Sequence, residues 1–144
     1  WSSPTRGAYT NMKIWCFDCD ETLWCSYGPV TRVMLEELRD QGHAIGIVGN
    51  WARFVQCVPD WHKLISFFSL APVVQLADGS IVGDKAWWMS TFRQYVPHEE
   101  MVMVGNQFGR TNSLGVVCGS NCSEQAARAN IKFILEDDFA AGMR

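Results

Sequence analysis

Two closely spaced carboxylates at the end of a strand-like run constrain this chain more than any other feature. Residues 12–17 have the composition of a buried strand, and Asp18 and Asp20 follow directly. Side chains two positions apart on an extended chain point the same way, so the two acids converge at the carboxyl end of that strand. Converging acids repel each other unless a cation or a shared proton lies between them. The pattern predicts a divalent metal site in which one carboxylate does the chemistry.

Length and composition indicate one globular domain. The 144 residues suffice for a substantial core, and 48% of them are apolar. The formal net charge of −3 argues against nucleic acid as a default partner, because no basic stripe is present. The apolar stretches are too short to span a bilayer. No signal peptide is visible and the cysteines are expected to be reduced, so a cytoplasmic protein is expected. Residues 1–11 are polar, and Met12 is a candidate native start, which would make them a non-native extension.

Six cysteines raise the question of a zinc site. Cys16 and Cys19 form a C-x-x-C, but strand alternation sends Cys16 to the side of Asp18 and Cys19 to the other side. Cys118 and Cys122 form a second pair only at a looser spacing, whereas structural zinc needs matching ligand pairs. We therefore expect reduced, mostly buried thiols, with structural zinc as the less favoured alternative.

Short apolar segments alternate with segments of helical periodicity, which is typical of α/β proteins. The predicted fold is a Rossmann-like three-layer sandwich with a mostly parallel central sheet of about five to six strands. The turn signal Asp78-Gly79 predicts a hairpin between two of the strands. Strands are predicted over 12–17, 44–48, 73–76, 80–82, 101–104, 114–118 and 132–135, and helices over 29–41, 51–58, 59–68, 85–95 and 123–129.

Three of the predicted strands end in polar, turn-forming residues. Because the carboxyl ends of parallel strands share one edge of a sheet, we expect these tips to be neighbours. Lys85 opens the helix before the 101–104 strand and is expected to reach the same crevice. The three tips are Asp18, Gly49-Asn50 and Gly105-Asn106.

These residues resemble the motifs of the haloacid dehalogenase-like (HAD) superfamily, most of whose members are magnesium-dependent phosphatases. The first family motif, D-x-D-x-T-L after an apolar strand, is matched at every position by residues 18–23. Lys85 fits the lysine of the third motif. The second and fourth motifs diverge, because Gly49 stands where a hydroxyl residue is usual and Asn106 where the first acid is usual. The second acid of the fourth motif falls near Asn112 or is lost.

A rival alignment places the fourth motif at Val82-Gly83-Asp84 and takes Lys63 as the third-motif lysine. It is less favoured, because the Asp78-Gly79 turn makes this segment resemble a hairpin rather than a central strand.

The resemblance implies that Asp18 is the nucleophile that takes the phosphoryl group, and that Asp20 serves as general acid and then as general base. It implies Mg²⁺ held by the Asp18 carboxylate, the Asp20 carbonyl and Asn106. Lys85 would stabilise the phosphoryl oxygens and the charge of Asp18. The implied substrate-binding residues are Thr22, Gly49 and Asn50.

The expected function is a metal-dependent phosphatase, with Mg²⁺ as cofactor and a phosphorylated substrate as partner. The alternative is a HAD-like scaffold that binds a phosphate ligand or a protein, because Gly49, Asn106 and Asn112 replace usual site groups together. The gaps between motifs leave no room for a large cap, so 12–144 is expected to form one HAD-like domain with an open crevice. An open crevice suits either a large phosphorylated substrate or a homo-oligomer in which a neighbouring copy covers the site.

Two further charged features lie outside the four motifs. The run Glu136-Asp137-Asp138 is expected to be a solvated acidic patch. Arg110 is a candidate contact for an anionic substrate.

Overall fold

A five-stranded, all-parallel sheet forms the centre of the computed structural model, which describes residues 12–69, 73–75, 77 and 81–144. The predicted extension 1–11 and the Asp78-Gly79 turn lie outside the described residues. The strands are β1 (Lys13–Phe17), β2 (Ala44–Ile47), β3 (Phe67–Phe68), β4 (Val73–Gln75), β5 (Ile81–Gly83), β6 (Glu100–Gly105) and β7 (Lys132–Leu135). The helices are α1 (Arg32–Asp40), α2 (Trp51–Cys57), α3 (Lys85–Tyr95), α4 (Cys122–Ala129) and α5 (Glu136–Ala140), with short 3₁₀ helices at Trp24–Ser26 and Trp61–Lys63.

The order of the strands across the sheet is β3-β2-β1-β6-β7, so the strand that carries the acidic pair is central. Phe17 at the end of β1 is level with Ile47 of β2 on one side and Val104 of β6 on the other. The three strands therefore end together, as the pattern of polar tips predicted. Central placement is consistent with the apolar composition of β1, which is covered on both faces.

Alternation along β1 divides the core into two layers. Trp15 and Phe17 pack on one face with residues of α1, α2 and α5, whereas Ile14 and Cys16 pack on the other face with residues of α3 and α4. This arrangement confirms the predicted Rossmann-like three-layer α/β fold. Cys19 belongs to the core layer opposite Cys16, so the two thiols do not ligate one zinc ion. All six cysteines are free thiols.

The β4–β5 pair confirms the predicted hairpin, because it is antiparallel and forms a separate two-stranded sheet. Gly83 is therefore not at the tip of a central strand, and the rival placement of the fourth motif there is wrong. Asp84 instead caps α3, since its carboxylate accepts a hydrogen bond from the Trp87 backbone N–H at 3.0 Å. The helix predicted over 85–95 is confirmed at both ends.

The helix predicted over 29–41 begins later than expected, at Arg32. Val30 instead forms an isolated bridge with Leu23, and its carbonyl accepts from the Trp24 N–H at 2.8 Å. The backbone before α1 is thus engaged in closing the loop that follows the acidic pair, and it cannot also form a helical turn.

The helix predicted over 59–68 is wrong. Only a short 3₁₀ helix forms there, and Phe67–Phe68 become the edge strand β3, which pairs with β2. Gly46 makes this possible, because a Cβ at that position would overlap the Phe67 ring. A close approach between a strand glycine and an aromatic ring is not visible in local periodicity.

The strand predicted over 114–118 is also wrong. A single antiparallel bridge joins Thr111 to Val117, and a tight loop lies between them. The Asn112 backbone N–H donates to the Val116 carbonyl at 2.9 Å, which turns the chain back on itself. Among the described residues, no helix is long and apolar enough to cross a membrane.

Candidate functional site

The carboxyl ends of β1, β2 and β6 bring the predicted site residues together at one edge of the sheet. The Asp18 backbone N–H continues the β1–β6 ladder by donating to the Val104 carbonyl at 3.0 Å. Its side chain leaves the strand on the face of α3 and α4, as alternation requires. Lys85, the first residue of α3, meets it there.

Asp18 and Lys85 form a buried ion pair. The Lys85 Nζ donates to Asp18 Oδ1 at 2.9 Å, and the side chains of Lys85 and Asp18 are 16% and 3% exposed. Burial by itself lowers the pKa of Lys85, but the adjacent Asp18 carboxylate outweighs burial and raises that pKa above its ordinary value. Lys85 therefore stays charged throughout the neutral range and fixes one oxygen of the carboxylate.

Cys122 also lies beside the lysine, with its Sγ 3.8 Å from Lys85 Nζ. Burial, together with the nearby Asp18 charge, raises the pKa of the Cys122 thiol to about 12. The thiol is thus protonated at neutral pH. Since the thiolate is the reactive form of cysteine, the Cys122 thiol is a poor nucleophile in this setting.

Two buried oxygens at adjacent strand tips have no hydrogen-bond partner among the described residues: Asp18 Oδ2 and Asn106 Oδ1. Buried polar atoms without a partner are rare, because leaving one unsatisfied is costly. Carboxylate and amide oxygens are ligands that Mg²⁺ accepts, and Mg²⁺ needs few protein donors since it keeps several waters. These two atoms therefore fit the implied cation. No group of three or more His, Cys, Asp or Glu side chains suited to a metal occurs in the part of the chain that the structure describes.

Asp20 is held by residues that follow β1 and β2. Ser26 Oγ donates to Asp20 Oδ1 at 2.7 Å, and Asn50 Nδ2 lies 3.3 Å from Oδ2. Asn50 also caps α2, because its Oδ1 accepts from the Arg53 N–H at 3.2 Å. Asn50 was predicted as a substrate contact; here it positions Asp20, and its role toward a substrate stays a prediction. Ser26 was not anticipated.

Gly49 lies against the Asp18 carboxylate. A Cβ at position 49 would overlap Asp18 Oδ1, the oxygen that Lys85 holds. A side chain at position 49 therefore does not fit beside this carboxylate in its present conformation.

Asn106 and Asn112 both hydrogen-bond to the loop that connects the acidic pair to α1. Glu21 has a φ of 55°, in the left-handed region that non-glycine residues seldom adopt. Its carbonyl accepts from Asn106 Nδ2 and from Asn112 Nδ2, each at 3.1 Å. Asn112 Oδ1 in turn accepts from the backbone N–H groups of Leu114 and Val116. Asn112 therefore stabilises the loops on both sides of it. Its side-chain oxygen is already occupied by two backbone N–H groups and is not available to a cation.

The prediction that Glu136 belongs to a solvated acidic patch is wrong. Glu136 is 0% exposed, whereas a solvated carboxylate was predicted. Its Oε1 pairs with Arg110, whose guanidinium also holds Asp137 Oδ2 at 2.5 Å. Arg110 is thus engaged by two carboxylates, and its contact with an anionic substrate stays a prediction. Burial raises the pKa of Glu136, although the Arg110 charge opposes that effect.

Thr22 is fully buried, and its Oγ1 has no hydrogen-bond partner among the described side chains and backbone. Its backbone N–H donates to the Cys19 carbonyl at 3.2 Å, so the residue belongs to the interior of the loop. A substrate contact by Thr22 stays a prediction.

Comparisons of the chain with protein-family models, with curated proteins and with solved structures found no match. What this edge of the sheet can do follows from its own side chains.

Proposed function

We propose that the chain is a HAD-like, metal-dependent phosphomonoesterase that acts through an aspartyl-phosphate on Asp18. The observation that carries this proposal is the state of the Asp18 carboxylate. One oxygen is paired with a buried lysine, and the other is buried with no partner among the described residues. A second buried oxygen without a partner among them, Asn106 Oδ1, belongs to the tip of the neighbouring strand. The large majority of buried side-chain oxygens in native structures have a hydrogen-bond partner, so the state of Asp18 Oδ2 needs an explanation.

The two oxygens of the Asp18 carboxylate have different roles in this proposal. Asp18 Oδ2, Asn106 Oδ1 and the Asp20 carbonyl would hold Mg²⁺, which when bound neutralises charge between the carboxylate and the phosphate. Asp18 Oδ1, beside Lys85, is then the oxygen that attacks phosphorus. Gly49 allows the backbone to lie close to that oxygen, because a Cβ at position 49 would overlap it.

The proposed hydrolysis proceeds in two steps. Asp18 Oδ1 forms a bond to phosphorus, the phosphorus–oxygen bond to the leaving group breaks, and Asp20 gives that oxygen its proton. Asp20 then takes a proton from water, and the water oxygen displaces Asp18 from phosphorus to release inorganic phosphate. Ser26 and Asn50 hold the Asp20 carboxylate in place for both steps. Lys85 stabilises the charge on the phosphoryl oxygens throughout.

A substitution at position 18 tests this function. Asp18→Asn keeps the shape of the side chain but removes the nucleophile, so hydrolysis of an aryl phosphate in Mg²⁺ should fall by about a thousandfold or more. Asp60→Asn is the matched control, because it breaks only a surface ion pair with Arg32 and should leave the rate unchanged. Circular dichroism checks that both variants fold. Wild-type turnover by Asp18→Asn would refute the role of this carboxylate.

The neutral side chain of Asn106 favours a second candidate function, a scaffold that binds a phosphate ligand or a protein without turnover. An amide oxygen attracts a divalent cation less strongly than a carboxylate. This candidate predicts no hydrolysis by the wild type with Mg²⁺, Mn²⁺ or Co²⁺ across a panel of phosphomonoesters. Chelator-sensitive hydrolysis would exclude it.

A further inference from the structure

Glu136 is a buried carboxylate in direct contact with the proposed cation ligand Asn106. It follows β7 as the first residue of α5, and β7 pairs with β6, which carries Asn106 at its tip. Glu136 Oε2 lies 3.3 Å from Asn106 Nδ2, and both residues are 0% exposed. The mechanism above leaves Glu136 unused.

The contacts of Asn106 determine which way its amide faces. Its Nδ2 lies 3.1 Å from the Glu21 carbonyl and 3.3 Å from Glu136 Oε2, and both of these atoms are acceptors. A flipped amide would set Oδ1 against two oxygens and leave Nδ2 without an acceptor. Oδ1 is therefore forced to the other side, where it is buried and has no partner among the described residues.

We infer that Glu136 is a positioning residue: it fixes the amide of Asn106 so that the carbonyl oxygen is presented to a divalent cation. Arg110 holds the other oxygen of Glu136 and so fixes Glu136 in turn. The inference rests on the cation site of the proposed function, but it does not depend on whether phosphate is hydrolysed there.

The same contacts explain why position 106 carries an amide. An aspartate there would place a carboxylate oxygen against the buried Glu136 carboxylate and the Glu21 carbonyl, with no donor between them. Like charges at hydrogen-bond distance in a buried setting repel strongly. Asn106 and Glu136 are thus a matched pair, and restoring the acid at position 106 helps the site only if the charge at position 136 is removed as well.

Four proteins test this pairing: wild type, Asn106→Asp, Glu136→Gln and the double variant. Titration calorimetry with Mg²⁺ alone gives the affinity of each, with no substrate present. Glu136→Gln should weaken binding in the wild-type background by about threefold or more, because the acceptor that orients the amide is altered. In the Asn106→Asp background the same change should tighten binding by about tenfold, because the amide introduced at position 136 can donate to the carboxylate introduced at position 106.

The opposite effects of Glu136→Gln on Mg²⁺ affinity in the two backgrounds distinguish positioning of the amide from a general loss of charge or structure. Loss of a nearby negative charge weakens cation binding in both backgrounds, and so does general damage to α5. Asp138→Asn is the matched control, since it removes an exposed charge two residues away and should give the same small effect in both backgrounds. Urea unfolding supplies a second measurement if Asn106→Asp folds poorly, because Glu136→Gln should then restore its stability.

The outcomes distinguish this inference from the proposed function. Effects of Glu136→Gln with the same sign in both backgrounds, or Asn106→Asp binding Mg²⁺ more tightly than wild type while Glu136 is present, would overturn the pairing alone. A wild type that does not bind Mg²⁺ would overturn both the pairing and the cation site. A confirmed reversal in a protein without hydrolytic activity would leave the pairing intact and refute the phosphatase.

Discussion

At Gly49, the missing side chain decides what can stand beside the Asp18 carboxylate. A Cβ there would overlap Asp18 Oδ1, which is also held by Lys85. The sequence showed only that a usual hydroxyl was absent, which suggested a lost hydrogen bond to phosphate. The structure shows that the Asp18 carboxylate is packed against the backbone at Gly49, and the lost hydrogen bond to phosphate stays a prediction.

This contact predicts the outcome of adding a side chain at position 49. Gly49→Ser and Gly49→Ala should both lower the kcat/KM of aryl phosphate hydrolysis, on the order of a hundredfold, because displacing a reacting atom by about 1 Å is that costly. Gly83→Ala is the matched control, since a Cβ at Gly83 meets nothing within 4 Å. The steric account fails if Gly49→Ser is more active than the wild type.

Residue patterns predicted part of this site and missed the rest. Asp18, Asp20 and Lys85 were recognisable because they belong to a specific motif or open a regular helix. Glu136 was taken for a solvated acid, since nothing in its neighbours reveals that β7 ends beside β6. Ser26 was equally hidden, because its contact with Asp20 depends on the turn that the Leu23–Val30 bridge closes.

Elements with their own end signals were predicted best. The helix over 85–95 has a capping aspartate before it and an apolar stripe along it, and its ends are confirmed. The predictions over 59–68 and 114–118 failed because tertiary contacts decide those segments. Pairing with β2 makes Phe67–Phe68 a strand, and the side chain of Asn112 folds the other segment into a loop.

A contact between β1 and the residue before β2 predicts how the stability of the protein depends on pH. His43 precedes β2, and its Nδ1 accepts from the Lys13 backbone N–H at 3.0 Å. Burial, together with the charge of Lys13, lowers the pKa of His43 below its ordinary 6.5. The unfolded chain therefore takes up the proton first, so the stabilising contribution is present above pH 6.5 and is lost as pH falls through the lowered folded-state pKa.

Urea unfolding of the wild type and of His43→Asn over a pH series measures this contribution. Asparagine can accept the same backbone hydrogen bond but does not titrate, so the variant should lose less unfolding free energy than the wild type on acidification. Near neutral pH the two proteins should differ by about 1 kcal/mol or less. Parallel profiles for the two proteins would show that His43 is not responsible.

Over the whole molecule, the site exists only because distant parts of the chain meet. The tips of three parallel strands and the first turn of α3 contribute Asp18, Asn50, Asn106 and Lys85. This assembly was predictable, because alternating strands and helices imply a parallel sheet whose carboxyl ends share an edge. The pairing of charged residues was not fully predictable from the sequence, because the contacts Asp18–Lys85 and Glu136–Arg110 join residues that are distant along the chain.

In the proposed reaction, Asp18 takes a phosphoryl group from substrate and then loses it to water. Mass spectrometry of peptides from acid-quenched enzyme tests this most directly, after mixing with an aryl phosphate and Mg²⁺. We predict that the mass of one phosphoryl group appears on the peptide that contains Asp18. The label should increase in Asp20→Asn, because release to water then lacks its general base. Rapid turnover with no label on Asp18 in either protein, or with the label on another residue, would contradict the account.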